Sequence, residues 1–293
     1  MNKMKAEPKR IVVKVGTSSL IDKHGNININ SIDGLAYSLT KLQEQGKEVI
    51  LVSSGAIGVG IIALDLPCRP SSIPAQQAVA AVGQAKLMDI YCRYFQNYQQ
   101  QTAQVLMTKD VVDYSQSRQN VTNTLEELLA MKIIPIVNEN DVVTIDNLDR
   151  LTKFGDNDQL SAIVNELVDS DLLIVLSDVD GFYSANPAKD KTAKLHHCIT
   201  NIDESLLQEA GGCGSQWGTG GMNSKLKAAK KVMLAGKTMI LANGKDPRII
   251  LDIVKGKKVG TIFKKNTDLH LLERKTPQLS AVKDNPVFKN IEL

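Results

Sequence analysis

The fold is decided by two short runs of sequence, Arg10-Ile-Val-Val-Lys-Val15 and Glu48-Val-Ile-Leu-Val-Ser53. Both runs are almost continuous in apolar and β-branched residues, which is typical of strands that are buried on both faces. Between them, apolar residues recur at helical spacing from Ile32 to Leu42. The segment therefore predicts two parallel strands joined by a crossover helix.

The same rhythm of apolar run and helical pattern continues along the chain. Further strands are predicted at Gln104–Thr108, Ile133–Val137, Leu172–Leu176 and Thr238–Ala242. Buried strands separated by helices predict an α/β fold with a mainly parallel sheet that is covered by helices. Ligands bind at the carboxyl ends of the strands in such open sheets, so the residues that follow each run form the candidate site.

Composition excludes several classes of function. The 293 residues carry 35 Lys and Arg against 32 Asp and Glu, a net charge of +3, and 4% of them are aromatic. This balance disfavours a nucleic-acid coat, and the scarcity of aromatics disfavours a stacking platform for single strands. No run approaches the roughly 20 apolar residues that span a bilayer, and residues 1–10 lack the apolar core of a secretory signal. We therefore expect no nucleic-acid partner and no membrane partner.

The cysteines favour a reducing compartment. They lie far apart, form no C-x-x-C pair and fit neither a disulfide framework nor a zinc site; they are Cys68, Cys92, Cys198 and Cys213. The adjacent His196 and His197 would point to opposite faces of an extended segment, which disfavours a metal site there. We expect a cytoplasmic protein without metal-ligating residues.

The loops after the first two strands carry small residues and one lysine. Lys14 ends the first strand, and Gly16 lets backbone amides approach an anion closely. After the second strand, Ser54, Gly55 and Ala56 form a turn whose N–H groups suit a carboxylate or a phosphate. Each feature taken alone is more often a boundary residue or a tight connection.

Two later loops are dense in carboxylates and amides. Asn138-Glu-Asn-Asp141 follows the fourth strand, and Gly155-Asp-Asn-Asp158 precedes a helix predicted over Gln159–Val168. Such groups bind an amino group or hold Mg²⁺ through its waters. The alternative is turn and capping chemistry, and we expect Asn157 or Asp158 to cap the helix in either case.

The C-terminal half contains the strongest signal of a phosphate site. Ser177 and Asp178 follow the fifth strand, and residues 211–221 hold six glycines before a helix that carries Lys225 in its first turn. This is not a Walker A sequence, and no G-x-G-x-x-G follows the first strand. Exposed amides, a helix N-terminus and a lysine nevertheless suit a phosphate. Together with Lys14 and the acidic clusters, this phosphate site indicates phosphoryl transfer. Such a reaction needs no general base when the acceptor is an ionised carboxylate.

These motifs, in this order, make the sequence resemble the amino acid kinase family over residues 8–263. The matching segments are Ile11–Ser18, Val52–Ala56, Val137–Asp141, Gly155–Asp158, Leu176–Asp178, Thr219–Lys225 and Val259–Phe263. The resemblance is closest to the members that phosphorylate glutamate. It implies a three-layer αβα sandwich and a reaction in which MgATP converts the side-chain carboxylate of L-glutamate to an acyl phosphate, at the start of proline biosynthesis.

The resemblance also implies roles for individual residues. Lys14 and Lys225 would stabilise the transferring phosphoryl group, and Asp158 would hold both lysines in position. The residues that would bind glutamate are Ser54, Gly55, Ala56, Asp141 and Asn157. The residues that would line the ATP site are Lys14, Gly16, Ser177, Asp178, Thr219, Gly220, Gly221, Met222, Asn223, Ser224 and Lys225.

Cofactors, partners and domains are further implications of the resemblance. We expect ATP and Mg²⁺ as cofactors, feedback inhibition by proline, and a homo-oligomer that is a dimer or a tetramer. We also expect an amino acid kinase domain over residues 1–263 and a C-terminal extension over residues 264–293. That extension is too short for the PUA domain of many bacterial members.

Three other functions remain as alternatives. Another carboxylate kinase of the same fold would act on acetylglutamate or aspartate, although Lys14-Val-Gly-Thr17 departs from the K-F-G-G-T of aspartate kinases. A non-catalytic sensor of amino acids or nucleotides would have no need of both lysines and Asp158. An RNA-binding protein is disfavoured by the near-neutral charge and the few aromatics.

Overall fold

The computed structural model of the chain describes residues 7–108, 113–143, 156–210 and 221–265. Its strands are β1 (Arg10–Val15), β2 (Glu48–Val52), β3 (Thr102–Met107), β4 (Ile134–Glu139), β5 (Leu172–Ser177), β6 (Phe182–Tyr183), β7 (Leu195–His196), β8 (Cys198–Ile199), β9 (Thr238–Asn243) and β10 (Thr261–Lys264). Its helices are α1 (Thr17–Leu20), α2 (Ile29–Glu44), α3 (Ala56–Ala63), α4 (Ile73–Gln96), α5 (Ser115–Ala130), α6 (Asn157–Leu167), α7 (Glu204–Ala210), α8 (Met222–Leu234) and α9 (Ile249–Val254).

β1 lies inside an eight-stranded sheet whose order is β3-β4-β2-β1-β5-β9-β10-β8. It pairs in parallel with both β2 and β5. The outer pairs β2–β4, β3–β4 and β5–β9 are parallel as well. The direction changes at β10, which is antiparallel to β9, while β8 follows β10 in parallel. The prediction of an α/β fold with a mainly parallel sheet is confirmed.

Each face of the sheet has its own apolar core. Val12 of β1 faces the layer that contains α6 and α8, whereas Ile11 and Val13 face the layer that contains α2 and α4. All three side chains are fully buried. Because burial of one such side chain contributes roughly 1.5–3 kcal/mol, aliphatic residues on both faces hold the three layers together.

Helices α3 and α4 are in close contact and were not predicted from the sequence. A β-carbon on Gly60 of α3 would lie 2.1 Å from the carbonyl oxygen of Val79, and one on Gly83 of α4 would lie 1.8 Å from that of Ala56. Neither position therefore accepts a side chain, and the two backbones pack against each other. α4 has 24 residues, yet no helix among the described residues is long and apolar enough to cross a membrane.

The N-cap of α6 corrects an expectation from the sequence. Asp156, and not Asn157 or Asp158, caps the helix: its Oδ1 accepts from the backbone N–H of Asp158 at 2.8 Å and from that of Gln159 at 3.1 Å. An N-cap side chain reaches the amides two and three residues further on, so a cap at 156 occupies that geometry. The side chains of Asn157 and Asp158 are thereby left to face other partners.

Candidate active site

The described members of the predicted site lie at or just after the carboxyl ends of β1, β2, β4 and β5 or at the starts of α3, α6 and α8. The loops after β2 and β4 lie on one side of β1, and those after β5 and β9 lie on the other. The chain adds strands in both directions from β1, which is the topology that opens a ligand crevice at that edge.

Lys14 shares a face of β1 with Val12 because side chains alternate along a strand. That face packs against α6 and α8, whose first turns carry Asp158 and Lys225. Lys14 Nζ lies 2.7 Å from Asp158 Oδ1, and Lys225 Nζ lies 3.1 Å from Asp158 Oδ2. The contact of Lys225 is also a hydrogen bond, and the shorter contact of Lys14 is an ion pair with the other carboxylate oxygen.

The three charges are almost excluded from solvent. Asp158 is 0% exposed, Lys14 7% and Lys225 8%. Burial raises the pKa of the Asp158 carboxyl, but the attraction of Lys14 and Lys225 outweighs it, so the pKa lies below its usual range. With Asp158 ionised and both lysines protonated, this lysine–aspartate–lysine cluster has a net positive charge that suits an anionic ligand.

A second network lies on the β2 and β4 side. Asn157 Nδ2 donates to the carbonyl oxygen of Ser53 and to Ser54 Oγ, each at 2.7 Å, and to Asn138 Oδ1 at 3.1 Å. Its amide orientation is set by these three acceptors. The amide oxygen of Asn157 is left without a hydrogen-bond partner among the described residues, so it remains available to a ligand donor such as an ammonium group.

Gly55 begins α3 next to this network. Its φ of +97° is in the left-handed region, where a side chain is strained. The turn carries the chain from β2 into α3, and the amides of the first helical turn have no partner within the helix. Ala56 is buried in that turn, and Asp141 is half-buried in the turn that follows β4. Carboxylate recognition by amides and ammonium recognition by oxygens are therefore both available on this side.

The opposite side carries the residues predicted to bind the nucleotide. Ser177 ends β5, and its hydroxyl donates to Asp178 at 3.0 Å. Gly221 is the N-cap of α8 and has no capping side chain. The first turn of α8 carries the remaining described members of the set, Met222, Asn223, Ser224 and Lys225. Thr219 and Gly220 lie outside the described residues.

Gly16 stands between the two sides. A β-carbon at this position would lie 3.6 Å from Lys14 Nζ, so any longer side chain would crowd the ammonium group. Glycine therefore leaves space beside the ammonium group at the end of β1. Gly16 and Lys14 are thus neighbours at the end of β1.

The carboxylates of the site determine whether it suits Mg²⁺. The described residues contain no group of three or more His, Cys, Asp or Glu arranged to hold a metal ion. Mg²⁺ commonly keeps several waters and binds one or two carboxylates together with substrate phosphates. The exposed carboxylate of Asp178 fits such partial coordination, so this part of the chain suits an ion that arrives with a nucleotide.

Several residues of the site were missed by reasoning from the sequence. Asn138 begins the motif Asn138–Asp141, but the motif alone gives this residue no role of its own. Gln159 Nε2 donates to the carbonyl oxygen of Ser224 at 2.9 Å and so joins α6 to α8. Gln84 and Tyr91, both on α4, contact Asn138 at the end of β4 and Ser53 directly after β2. No local pattern marks these two residues, because their importance depends on where α4 crosses the sheet.

A parallel α/β sheet with a buried lysine–aspartate–lysine cluster at its carboxyl edge defines a phosphotransferase. The chain belongs to the amino acid kinase family, whose sequence pattern matches residues 9–243. It is 63% identical over 257 residues to a glutamate 5-kinase of Enterococcus faecalis, covering 88% of this chain and 95% of that protein. It is 57% identical over 255 residues to a glutamate 5-kinase of Listeria innocua, covering 87% of this chain and 92% of that protein.

A solved structure supports the fold assignment independently. The carbamate kinase of Giardia lamblia, bound to AMP-PNP, superposes with a TM-score of 0.63 at 16% identity, covering 88% of this chain and 99% of that one. At this identity the likeness concerns the fold alone. The expected αβα arrangement of the amino acid kinase family is confirmed.

Proposed function

We propose that this chain is a glutamate 5-kinase that transfers the γ-phosphoryl group of MgATP to the side-chain carboxylate of L-glutamate. The observation that carries the proposal is the buried lysine–aspartate–lysine cluster, which lies between a loop set suited to an amino acid and a loop set suited to phosphates. High identity to two glutamate 5-kinases supports this substrate. The product is L-glutamyl 5-phosphate, which enters proline biosynthesis.

The reaction needs positioning and charge stabilisation rather than proton transfer. A carboxylate oxygen of glutamate forms the new bond to the γ-phosphorus while the bond from that phosphorus to the β,γ-bridging oxygen breaks, and ADP leaves with the electron pair. The acceptor is already ionised near neutral pH, so no base is required. Lys14 and Lys225 neutralise negative charge on the transferring group, and Asp158 holds both ammonium groups toward it.

The glutamate subsite uses the network on the β2 and β4 side. The amides at Gly55 and Ala56 and the hydroxyl of Ser54 bind carboxylate oxygens. The amide oxygen of Asn157 and the carboxylate of Asp141 accept from the α-ammonium group. Asn157 Nδ2 donates to Ser54 Oγ at 2.7 Å, and this hydrogen bond orients both side chains, which supports the assignment.

The nucleotide subsite uses the β5 and α8 side. Amides at the start of α8, from Gly221 to Ser224, bind phosphate oxygens, and Thr219 and Gly220 are part of the same proposal by their position in the motif. Ser177 and Asp178 border the nucleotide. Mg²⁺ supplies additional neutralisation of phosphate charge when bound, and Asp178 would hold it through its carboxylate or an intervening water.

A coupled assay of ADP release tests the function. With MgATP, we expect turnover with L-glutamate to exceed that with N-acetylglutamate or L-aspartate by at least about a hundredfold in kcat/KM, since the subsite pairs an ammonium group with oxygen acceptors. Proline has the same α-carboxylate and an α-amino group, so we expect it to raise the KM for glutamate and leave the KM for ATP unchanged. Preference for acetylglutamate or aspartate, or no turnover, would contradict the assignment.

The remaining expectations are also part of the proposal. We assign the kinase domain to residues 1–263 and an extension to residues 264–293; this division cuts β10 one residue short of its end at Lys264. A cytoplasmic location is supported by the free thiols of Cys68, Cys92 and Cys198.

We also propose a homo-oligomer, a dimer or a tetramer. Support comes from β3, which is an edge strand with Leu106 36% exposed, and from Val82 of α4, which is 42% exposed. Light scattering is expected to give two or four times the chain mass of 32.0 kDa. A mass equal to one chain at all concentrations would rule the oligomer out.

A further inference from the structure

Helix α4 presents two polar side chains to the carboxyl ends of β4 and β2, next to the glutamate subsite. Gln84 and Tyr91 are seven residues apart and so lie on one face of the helix. Gln84 Oε1 accepts at 2.8 Å from Nδ2 of Asn138, the next-to-last residue of β4. The Tyr91 hydroxyl lies 2.9 Å from Ser53 Oγ, after β2. One helix therefore contacts both the end of β4 and the first residue after β2 through polar side chains.

The direction of the hydrogen bonds at Asn138 is determined by its neighbours. Asn138 is 2% exposed. Its Oδ1 accepts from the backbone N–H of Glu139 at 2.9 Å and from Asn157 Nδ2 at 3.1 Å. Because two donors face Oδ1, the Nδ2 group must point the other way, toward Gln84. Gln84 supplies the acceptor that this buried donor requires.

A continuous relay follows from these bonds. Asn138 donates through Nδ2 to Gln84 and accepts through Oδ1 from Asn157. Asn157 in turn donates to Ser54 Oγ, so both proposed glutamate ligands are oriented by the same series. Without Gln84, the Asn138 donor loses its partner, and rotation of that amide to find another withdraws Oδ1 from Asn157.

We propose that Gln84 is a positioning residue for glutamate binding, acting through Asn138 on Asn157. The inference rests on the proposed function, because it assigns the orientation of a glutamate ligand to a residue outside the binding loops. None of the hydrogen bonds in the relay involves the side chain of Lys14, Asp158 or Lys225. Gln84 therefore affects the affinity for glutamate and not the chemical step or the nucleotide.

The first test replaces Gln84 by methionine, which has similar length and no acceptor oxygen. We expect Gln84→Met to raise the KM for glutamate about tenfold, the effect of one lost hydrogen bond. The kcat and the KM for ATP are expected to stay within about twofold of wild type. The matched control is Gln76→Met, on the same helix, where Gln76 Oε1 accepts from Arg69 instead; its glutamate KM is expected to match wild type.

A double-mutant cycle tests whether Gln84 acts through Asn157. If it does, Gln84→Met adds little to the rise in KM caused by Asn157→Ala, because the oriented group is already absent. Additive effects would overturn the relay, as would an unchanged KM in Gln84→Met. Equal loss of kcat and of both affinities, with a lowered melting temperature, would overturn it in favour of a structural role. Absence of glutamate turnover in wild type would instead contradict the proposed function.

Discussion

Replacing Lys225 by methionine is expected to lower kcat about a thousandfold. In the resting enzyme its ammonium group lies 3.1 Å from Asp158 and is almost buried. In the proposed reaction it faces negative charge that is largest in the transition state, at a position where little water screens it. Initial rates with saturating glutamate and MgATP measure the effect.

The chain offers a matched control for this variant on the same helix. Lys227 is two residues further along α8 and is exposed, so Lys227→Met removes the same charge without altering the buried cluster. It is expected to retain kcat within about twofold, as for a surface charge. A similar kcat in Lys225→Met and Lys227→Met would contradict the role assigned to Lys225.

Replacing Asp158 by asparagine is expected to reduce the free energy of unfolding by about 3 kcal/mol at neutral pH. The substitution removes the carboxylate that faces both buried ammonium groups, and the remaining charges repel each other in a site with little solvent. Chemical denaturation of the wild type and the variant measures the difference. Asp169→Asn is the control, because Asp169 is 85% exposed in its ion pair with Lys237, and surface pairs contribute little.

The pH dependence of that difference has a defined sign. The pKa of Asp158 in the folded protein is lower than in the unfolded chain, owing to Lys14 and Lys225 overcoming burial. Its stabilisation is therefore complete above the unfolded value of about 3.9 and is lost as the pH falls through the lower folded value. The gap between wild type and Asp158→Asn should stay constant from pH 7 to about pH 5 and narrow in stronger acid. A gap that is independent of pH in acid would contradict this account.

The sequence predicted those elements whose burial is visible locally. β1 was predicted at Arg10–Val15 and is observed at Arg10–Val15, because a central strand covered on both faces must be apolar throughout. β3 shifted from Gln104–Thr108 to Thr102–Met107, since an edge strand is partly exposed and its pattern is weaker. The antiparallel direction of β10 depends on its pairing with β9, which four residues of sequence do not specify.

The candidate site likewise has a part that is visible in the sequence and a part that depends on the fold. The residue types at Lys14, Asp158 and Lys225 are visible as strand-end and helix-start motifs. Their meeting is a property of the fold, since it requires β1, α6 and α8 to share one face of the sheet. Gln84 has no counterpart in any motif because its contact with Asn138 joins residues 54 positions apart.

The contact between Gly60 and Gly83 has a mechanical consequence. Because each backbone excludes a β-carbon on the other helix, α3 and α4 are in direct backbone contact at Gly60 and Gly83, with no side-chain layer there to absorb a shift between them. α4 has 24 residues, a length of about 36 Å, while the first turn of α3 borders the proposed carboxylate subsite. A displacement of α4 at Gly83 would therefore press on the backbone of α3 at Ala56 and Gly60, so the position of the carboxylate subsite depends on the seating of α4.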